Sequence, residues 1–358
     1  MVNGQTRECV QRMRQLWPPP ADLPAQIEAG FCLAFARLNK DAGRTEHRQA
    51  ARRAEALYRR LGDTDRLGDA LLVVATLGAV AHCMDEAEVA LKEAEQLVGD
   101  AAALPQQAAL AATQAHCHLR RGATGLAIAA FRRQLELLRR GGDVRGEATA
   151  IGHVGRAQLD AGDVDAAIAS LRQSVDAFYR INPTDGLEFS LGALALALAW
   201  RGDEEDILPL AHEAFDHHRL LGVTFGPLMA AALQHARCGD AQRAVLLAGY
   251  ARGRLPLHEP ASLMALPIQQ RLRELAMAVS PAAAVEGWLR TGEGLTEEQA
   301  AAIAFDAAQL PDCRGSTHSL DNRRVSAGLG LSVRQVEAAP LRRGQEGARN
   351  QPEAGPGG

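Results

Sequence analysis

The amino-acid sequence predicts an all-α protein built from consecutive helical hairpins. The 358 residues are 47% hydrophobic but only 4% aromatic. So much alanine and leucine with so few large rings favours closely packed helices over a sheet. Apolar residues recur at helical spacing in segments separated by glycine, and these glycines recur at a nearly constant interval. Composition, periodicity and an internal repeat therefore predict the same fold class.

The clearest hairpin is the segment 142–181, which contains two amphipathic patterns joined at Gly162-Asp163. Glycine suits the left-handed end of a helix, and aspartate is a good N-cap for the next one. Such a hairpin cannot bury its apolar faces alone, so it needs neighbours stacked against it. The residues that mark its two apolar stripes are Ala150, Val154, Ala157 and Leu159, then Ala167, Ile168, Leu171, Val175 and Phe178.

The neighbours are found by internal repetition. A shift of 40 residues aligns Gly122, Gly162 and Gly202, and Gly239 follows 37 residues later. Small residues recur before and after these hinges, where they let paired helices approach closely, and bulky residues recur further on. The small positions before the hinge are Ala75, Ala115, Gly155, Ala195 and Ala232; those after it are Ala87, Ala127, Ala167 and Ala244, with Ile207 as the exception; the bulky ones are Leu91, Phe131 and Leu171.

Three regions flank or continue the repeats. Residues 1–20 are an N-terminal segment that stops at three consecutive prolines, which end any helix. Residues 21–255 hold the repeats, and 256–310 a C-terminal helical cap that covers the last face of the array. In 311–358 the apolar periodicity fades, so we expect a disordered tail. The predicted helices are 21–39, 46–61, 64–83, 85–98, 104–121, 124–140, the two halves of 142–181, 184–200, 204–221, 225–237, 241–253, 263–279, 282–289 and 296–309.

Cysteine usage and hydropathy predict a cytoplasmic protein. The six cysteines lack CxxC spacing and no signal-peptide pattern precedes them, so we expect free thiols in a reducing compartment. The most apolar run, 71–81, is too short to span a bilayer. The cysteines are Cys9, Cys32, Cys83, Cys117, Cys238 and Cys313.

No constellation in the sequence predicts an enzyme, a cofactor or a metal. The only lysines, Lys40 and Lys92, lie outside any Gly-rich phosphate-binding loop, and hydrolase, zinc-protease and dinucleotide motifs are absent. Neighbouring residues on a helix point about 100° apart, so at most two of His116, Cys117 and His118 can share a ligand sphere. A net charge of −4 gives no electrostatic case for nucleic-acid binding.

The first helices of the hairpins are the expected binding surface, because in stacked hairpins they line a concave groove. Thr76, His116 and Arg156 are equivalent in the repeat register, as are Asp69, Thr149 and Phe189. A mixed polar and aromatic groove suits a protein, a peptide or a small-molecule signal. Arg156 is the strongest candidate, since a guanidinium can bind a carboxylate through two hydrogen bonds.

Two interpretations stay open at the charged positions. Arg156 can instead pair with Asp160 four residues on, as an ordinary surface contact. Pairs of arginines also recur on second helices, where a solvated face with carboxylate partners is the main interpretation. An acidic or nucleic-acid partner is the alternative. These pairs are Arg52-Arg53, Arg59-Arg60, Arg132-Arg133 and Arg139-Arg140.

The repeated pattern of small, hinge, small and bulky positions resembles the tetratricopeptide repeat (TPR). Ile151 and Gln158 replace aromatic residues of that motif, and the unit is longer. Segments of the chain also resemble the repeat region of large bacterial LuxR-type transcriptional regulators, in which an ATPase module precedes the repeats and a helix-turn-helix module follows them. The segments are 51–71, 137–151, 244–251 and 286–308, and 330–337 looks like the opening of the helix-turn-helix.

The resemblance implies a right-handed α-solenoid of about six TPR-like hairpins with a C-terminal cap. It also implies a non-enzymatic regulatory module for signal transduction, which senses a protein, peptide or small-molecule signal. Pro340 falls where the first DNA-binding helix should continue, so we expect a truncated relative without specific nucleic-acid binding. The alternative function is a free-standing scaffold for protein–protein interaction.

Overall fold

The computed structural model describes residues 12–38 (except 14 and 21), 45–81, 83–99, 102–181, 186–202, 207–218, 225–254 and 265–305. These ranges contain fifteen α-helices and no strand, which confirms the predicted all-α class. The helices are α1 Ala25–Arg37, α2 Thr45–Leu61, α3 Thr64–Val80, α4 Met84–Leu97, α5 Leu104–Arg120, α6 Thr124–Gly141, α7 Val144–Asp160, α8 Val164–Arg180, α9 Leu187–Arg201, α10 Ile207–His218, α11 Phe225–Arg237, α12 Ala241–Arg254, α13 Ala265–Val279, α14 Ala282–Glu293 and α15 Glu297–Phe305.

Local sequence explains where the central helices begin and end. Asp143 caps α7, because its carboxylate accepts a hydrogen bond from the Gly146 amide at 2.8 Å. Asp163 caps α8 in the same way through the Ala166 amide at 3.2 Å. Between these two helices Gly162 has φ +83°, a left-handed conformation that favours glycine. The predicted hinge at Gly162-Asp163 is thus confirmed.

Helices pack in pairs, and the first helices of successive pairs also meet. The pairs are α1 with α2, α3 with α4, α5 with α6, α7 with α8, α9 with α10, and α11 with α12. The first helices pack as α1 on α3, α3 on α5, α7 on α9, and α9 on α11. Each pair therefore covers apolar surface that its neighbour leaves exposed.

The small and bulky repeat positions meet inside these pairs. Ala115 and Ala195 are fully buried before their hinges, and Ala167 and Leu171 are fully buried after theirs. A Cβ added at Gly155 would lie 2.7 Å from the Leu171 Cγ. Such a distance is too short for a van der Waals contact, so the small residue is what allows α7 and α8 to approach.

Towards the C-terminal side, α12 and α14 pack with their backbones almost in contact. A Cβ at Gly249 would collide with the Leu289 carbonyl, and one at Gly292 would collide with the Leu246 carbonyl. His235 on α11 ties the last described helix to the array, since its Nε2 lies 3.0 Å from the Ala304 carbonyl oxygen.

Two further expectations can be compared with the structure. Cys32, Cys83 and Cys117 are free thiols, but Cys238 is disulfide-bonded, so the prediction of six free thiols is wrong there. Within the ranges given above, no helix is both long and apolar enough to cross a membrane. The predicted tail and the segment 330–337 lie outside the described residues.

Candidate functional site

A row of polar and aromatic side chains joins the first helices of four successive hairpins. The hydroxyl of Thr76 on α3 lies 3.0 Å from that of Thr113 on α5, within hydrogen-bonding distance. The ring of His116 on α5 is 5.4 Å, between centroids, from that of His153 on α7. His153 in turn lies 5.3 Å from the ring of Phe189 on α9. We call these five residues the first-helix row.

Phe131 of α6 holds the middle of the first-helix row in place. Its ring centroid is 5.3 Å from that of His116 and 5.0 Å from that of His153. The ring of Phe131 is 1% exposed. The His116 ring meets Phe131 edge to face at 85°, an arrangement favoured by the quadrupoles of aromatic rings. A bulky repeat position on a second helix therefore supports the polar residues of two first helices.

The first-helix row is accessible at only two of its members. Thr76 is 8% exposed, Thr113 2% and His153 5%, so these three side chains are interior. His116 and Phe189 are half-buried. A molecule approaching the first helices would therefore meet His116 and Phe189, while the buried members hold those two side chains in position.

Arg156 and Thr149 lie on the same face of α7 as His153, since residues three or four apart stack along a helix. The Arg156 Nε is 3.4 Å from the Asp160 Oδ1, and the two side chains are 21% and 6% exposed. The local ion pair that the sequence left open as an alternative is thus formed. Thr149 is half-buried and its hydroxyl donates to the Arg145 carbonyl at 3.1 Å.

Buried hydroxyl groups fix the helices behind this face. The Ser174 hydroxyl donates to the Ala148 carbonyl at 2.7 Å and lies 2.8 Å from the Ser190 hydroxyl. Both serines are fully buried. A Cβ at Gly152 would lie 2.6 Å from the Ser190 Oγ, so α7 and α9 approach closely here. The helices that carry Thr149, His153, Arg156 and Phe189 are therefore locked together by buried hydrogen bonds as well as by apolar contact.

The five site residues predicted from the sequence lie in two separate regions of the first helices. His116 and Phe189 are brought together through His153, and Thr149 and Arg156 flank His153 along α7. Thr76 lies apart from these and contacts Thr113. The sequence analysis missed Thr113 and His153, and it identified Phe131 only as a bulky repeat position.

A signal for the missed residues exists in the sequence, because contacting residues are separated by 37 positions in Thr76–Thr113 and in His116–His153. Residues equivalent in the repeat are separated by 40, so contacting and equivalent positions differ by about one helical turn.

The described residues form no metal site at the first-helix row. Among the described residues no group of three or more His, Cys, Asp or Glu side chains could hold a metal ion. Burial raises the pKa of Cys117 to about 11, which keeps its thiol protonated and poorly nucleophilic near neutral pH. An open depression of about 550 Å³ lies elsewhere, along α2, lined by Arg52, Glu55, Ala56, Arg59 and Arg60.

No protein-family model matches the chain, and no curated protein is detectably similar to it in sequence. The resemblance to the repeat region of LuxR-type regulators therefore rests on the sequence segments themselves.

Proposed function

We propose that this chain is a non-enzymatic regulatory or sensor module, a right-handed solenoid of TPR-like hairpins that binds a signal along its first helices. The signal is a protein, a peptide or a small molecule, as the resemblance to LuxR-type regulators implies. The observation that supports the proposal most is the continuity of the first-helix row. The side chains of α5, α7 and α9 touch one another, so a ligand held at His116 and Phe189 spans three hairpins.

The chemistry of the accessible residues favours a ligand with a carboxylate and an apolar or aromatic part. Arg156 supplies the charge, Thr149 a hydroxyl, and Phe189 a ring. A ligand has to displace the pair between Arg156 and Asp160, and this costs more than an exposed i,i+4 pair because the Asp160 side chain is only 6% exposed. A ligand carboxylate that bonds the guanidinium through both nitrogens can replace it, since bidentate pairs are the stronger kind.

The proposal is tested by capture of partners from an extract of the native host. The tagged parent chain is compared with an Arg156→Ala, His116→Ala double variant and with an Arg172→Ala control, which removes an exposed arginine on α8. We expect the double variant to lose a specific partner and to keep the parent's melting temperature, while the control retains that partner. If all three proteins captured the same partners, the first helices would not be the binding surface.

A further inference from the structure

Ion pairs connect the second helices α2 and α4, and two of them are spaced alike. The Arg52 Nε donates to the Glu86 Oε1 at 2.8 Å, and the Arg59 Nη1 donates to the Glu93 Oε1 at 2.6 Å. The two arginines are seven residues apart on α2, and the two glutamates are seven residues apart on α4. The two arginines of α2 are thus about two helical turns apart, and they bind two glutamates of α4 that have the same spacing.

The same arrangement of arginines recurs on α6 without the glutamates. A shift of 80 residues, two repeat units, carries Arg52 onto Arg132 and Arg59 onto Arg139. It likewise carries the adjacent pair Arg53 and Arg60 onto Arg133 and Arg140. The same shift carries the two glutamates of α4 onto Ala166 and Gln173 of α8, which are uncharged. The second helix α8 therefore lacks carboxylates at the two positions where α4 has Glu86 and Glu93.

The arginines of α6 are exposed and mostly lack an acidic partner. All four are exposed. Arg139 donates to Glu147 of α7 at 2.8 Å, whereas in the described part of the chain no carboxylate lies within ion-pair distance of Arg132, Arg133 or Arg140. With four arginines and only Glu136 against them, α6 has a net charge of +3 (4 − 1).

The arginines of α2 are mostly engaged, in contrast to those of α6. Arg53 pairs with Glu28 on α1 at 2.8 Å, and Arg48 joins Arg52 at Glu86. Both helices expose arginines of the same spacing, but α2 binds three glutamates of other helices, whereas among the described residues α6 binds only Glu147 of α7.

We propose that the exposed face of α6 is a docking surface for an acidic helix of a partner protein. That helix presents two carboxylates seven residues apart, the spacing of Arg133 and Arg140, and Arg132 lies beside this pair. Seven residues correspond to about 10.5 Å along a helix, and within this chain Glu86 and Glu93 of α4 bind an arginine pair of that spacing, Arg52 and Arg59 of α2. The guanidinium fork suits carboxylates. This surface lies on a second helix, so it is independent of the first-helix row.

Charge also favours an acidic helix over a nucleic acid as the occupant. The chain has a net charge of −4, which repels a polyanion as a whole. A short helix with two or three carboxylates is attracted by the local charge of α6 and needs no further basic surface. The repulsion of a nucleic acid, by contrast, grows with every phosphate that extends beyond the three available arginines.

The test uses a fluorescent, helix-stapled peptide with the sequence of α4, Met84–Leu97, as the probe. A staple is needed because isolated helices of this length are only marginally formed. Binding to the full chain is measured by anisotropy at low salt. The α6 variant is Arg132→Gln, Arg133→Gln, Arg140→Gln. The charge-matched control is Arg60→Gln, Arg180→Gln, Arg290→Gln, which removes three exposed arginines from other helices.

We expect the α6 variant to bind the peptide about tenfold more weakly than the parent, and the control to bind it like the parent. A peptide with Glu86→Gln and Glu93→Gln should lose the same factor on the parent chain. Equal binding of the acidic peptide by both variants would overturn the proposal. Tighter binding of a duplex DNA than of the peptide, lost in the α6 variant, would also overturn it in favour of a nucleic-acid surface.

Reversing the charges on both α6 and the peptide distinguishes loss of direct contact from loss of stability in the α6 variant. A chain with Arg132→Glu, Arg133→Glu and Arg140→Glu should reject the acidic peptide. The same chain should bind a peptide with Glu86→Lys and Glu93→Lys, which the parent rejects. Recovery of binding by the exchanged pair supports direct contact at α6, and its failure counts against the surface.

Discussion

Buried histidines link helices that are distant in the sequence. His153 joins α5 to α9 through ring contacts on both sides. His235 joins α11 to α15 through a hydrogen bond to the Ala304 carbonyl at 3.0 Å. His235 is 1% exposed, so its imidazolium form would be poorly solvated. Desolvation accordingly lowers the pKa of His235 below its ordinary value of 6.5. The hydrogen bond to the Ala304 carbonyl and the charge of Asp240 oppose this shift, and Arg243 adds to it.

The depressed pKa of His235 makes the stability of the fold depend on pH. Above pH 6.5 the ring is neutral in both the folded and the unfolded chain. As the pH falls below 6.5 the unfolded chain takes up the proton first, so the free energy of unfolding decreases. We expect urea unfolding at pH 7.5 and 5.5 to show a larger loss for the parent than for His235→Gln. A loss as large in His235→Gln as in the parent would contradict this.

The contact between paired helices depends on residues too small to hold them apart. The α7–α8 pair shows this in the interior of the array, and the α12–α14 pair shows it on the C-terminal side. In the first pair the small residue faces a leucine side chain, which has some freedom to move. In the second pair the small residue faces backbone, which has almost none. Substitutions should therefore cost more at the second pair.

Replacing Gly155 or Ala167 by leucine should destabilise the α7–α8 pair by roughly 1–3 kcal/mol, because the added side chain overpacks the contact around Leu171. Urea unfolding of the purified variants measures this free energy. Gly125→Leu is the control, since a Cβ there has no neighbouring atom within 4 Å. If the Gly155 and Ala167 variants unfold like the parent, the assigned repeat register is wrong.

Replacing Gly249 or Gly292 by alanine should lower the free energy of unfolding by about 2 kcal/mol or more, because the new methyl group meets a backbone carbonyl. Gly287→Ala on α14 provides a matched control with open space around the Cβ. That variant should gain up to about 1 kcal/mol from the higher helix propensity of alanine. Chemical unfolding of the three proteins gives the comparison, and equal stability of all three would contradict close backbone packing of α12 and α14.

Across the described molecule, first and second helices use different chemistry to meet their neighbours. First helices meet through hydroxyl groups and rings in a mostly buried row. The second helices α2 and α4 meet through exposed ion pairs, of which Arg59–Glu93 is an example. Exposed ion pairs contribute about 0.2–1 kcal/mol each, whereas full burial of one leucine contributes about 1.5–3 kcal/mol. The apolar contacts therefore stabilise the array, and the ion pairs chiefly decide which surfaces can meet.

The chain should bind neither ATP nor a specific duplex DNA sequence. Lys40 and Lys92 lie outside any phosphate-binding loop, and Pro340 falls where the first DNA-binding helix after the segment 330–337 would continue. Calorimetric titration with Mg-ATP and gel-shift assays with promoter DNA from the native host test these two expectations. Saturable ATP binding in the micromolar range, or a shift specific to one DNA sequence, would show that the expectation is wrong.

Several features of this protein follow from the sequence alone because they depend on local periodicity. The all-α class follows from apolar spacing, and the hinge at Gly162-Asp163 follows from the preference of glycine for positive φ and of aspartate for the N-cap. The small residue at position 155 and the bulky one at 171 were recognisable because hairpins of one kind repeat. The fold class, the hinge and the small and bulky positions depend on residues within one hairpin, so they can be predicted from the sequence of that hairpin.

The tertiary structure alone decided which side chains meet between hairpins. The sequence placed Thr76, His116 and Arg156 in equivalent positions, but stacking shifts the contacts by about one turn. Thr76 therefore meets Thr113, and His116 meets His153. The closeness of α12 and α14 has the same origin, since α13 separates them in the chain. Periodicity within a helix determines which face is apolar, but the offset between two packed helices depends on the shapes of both surfaces at once.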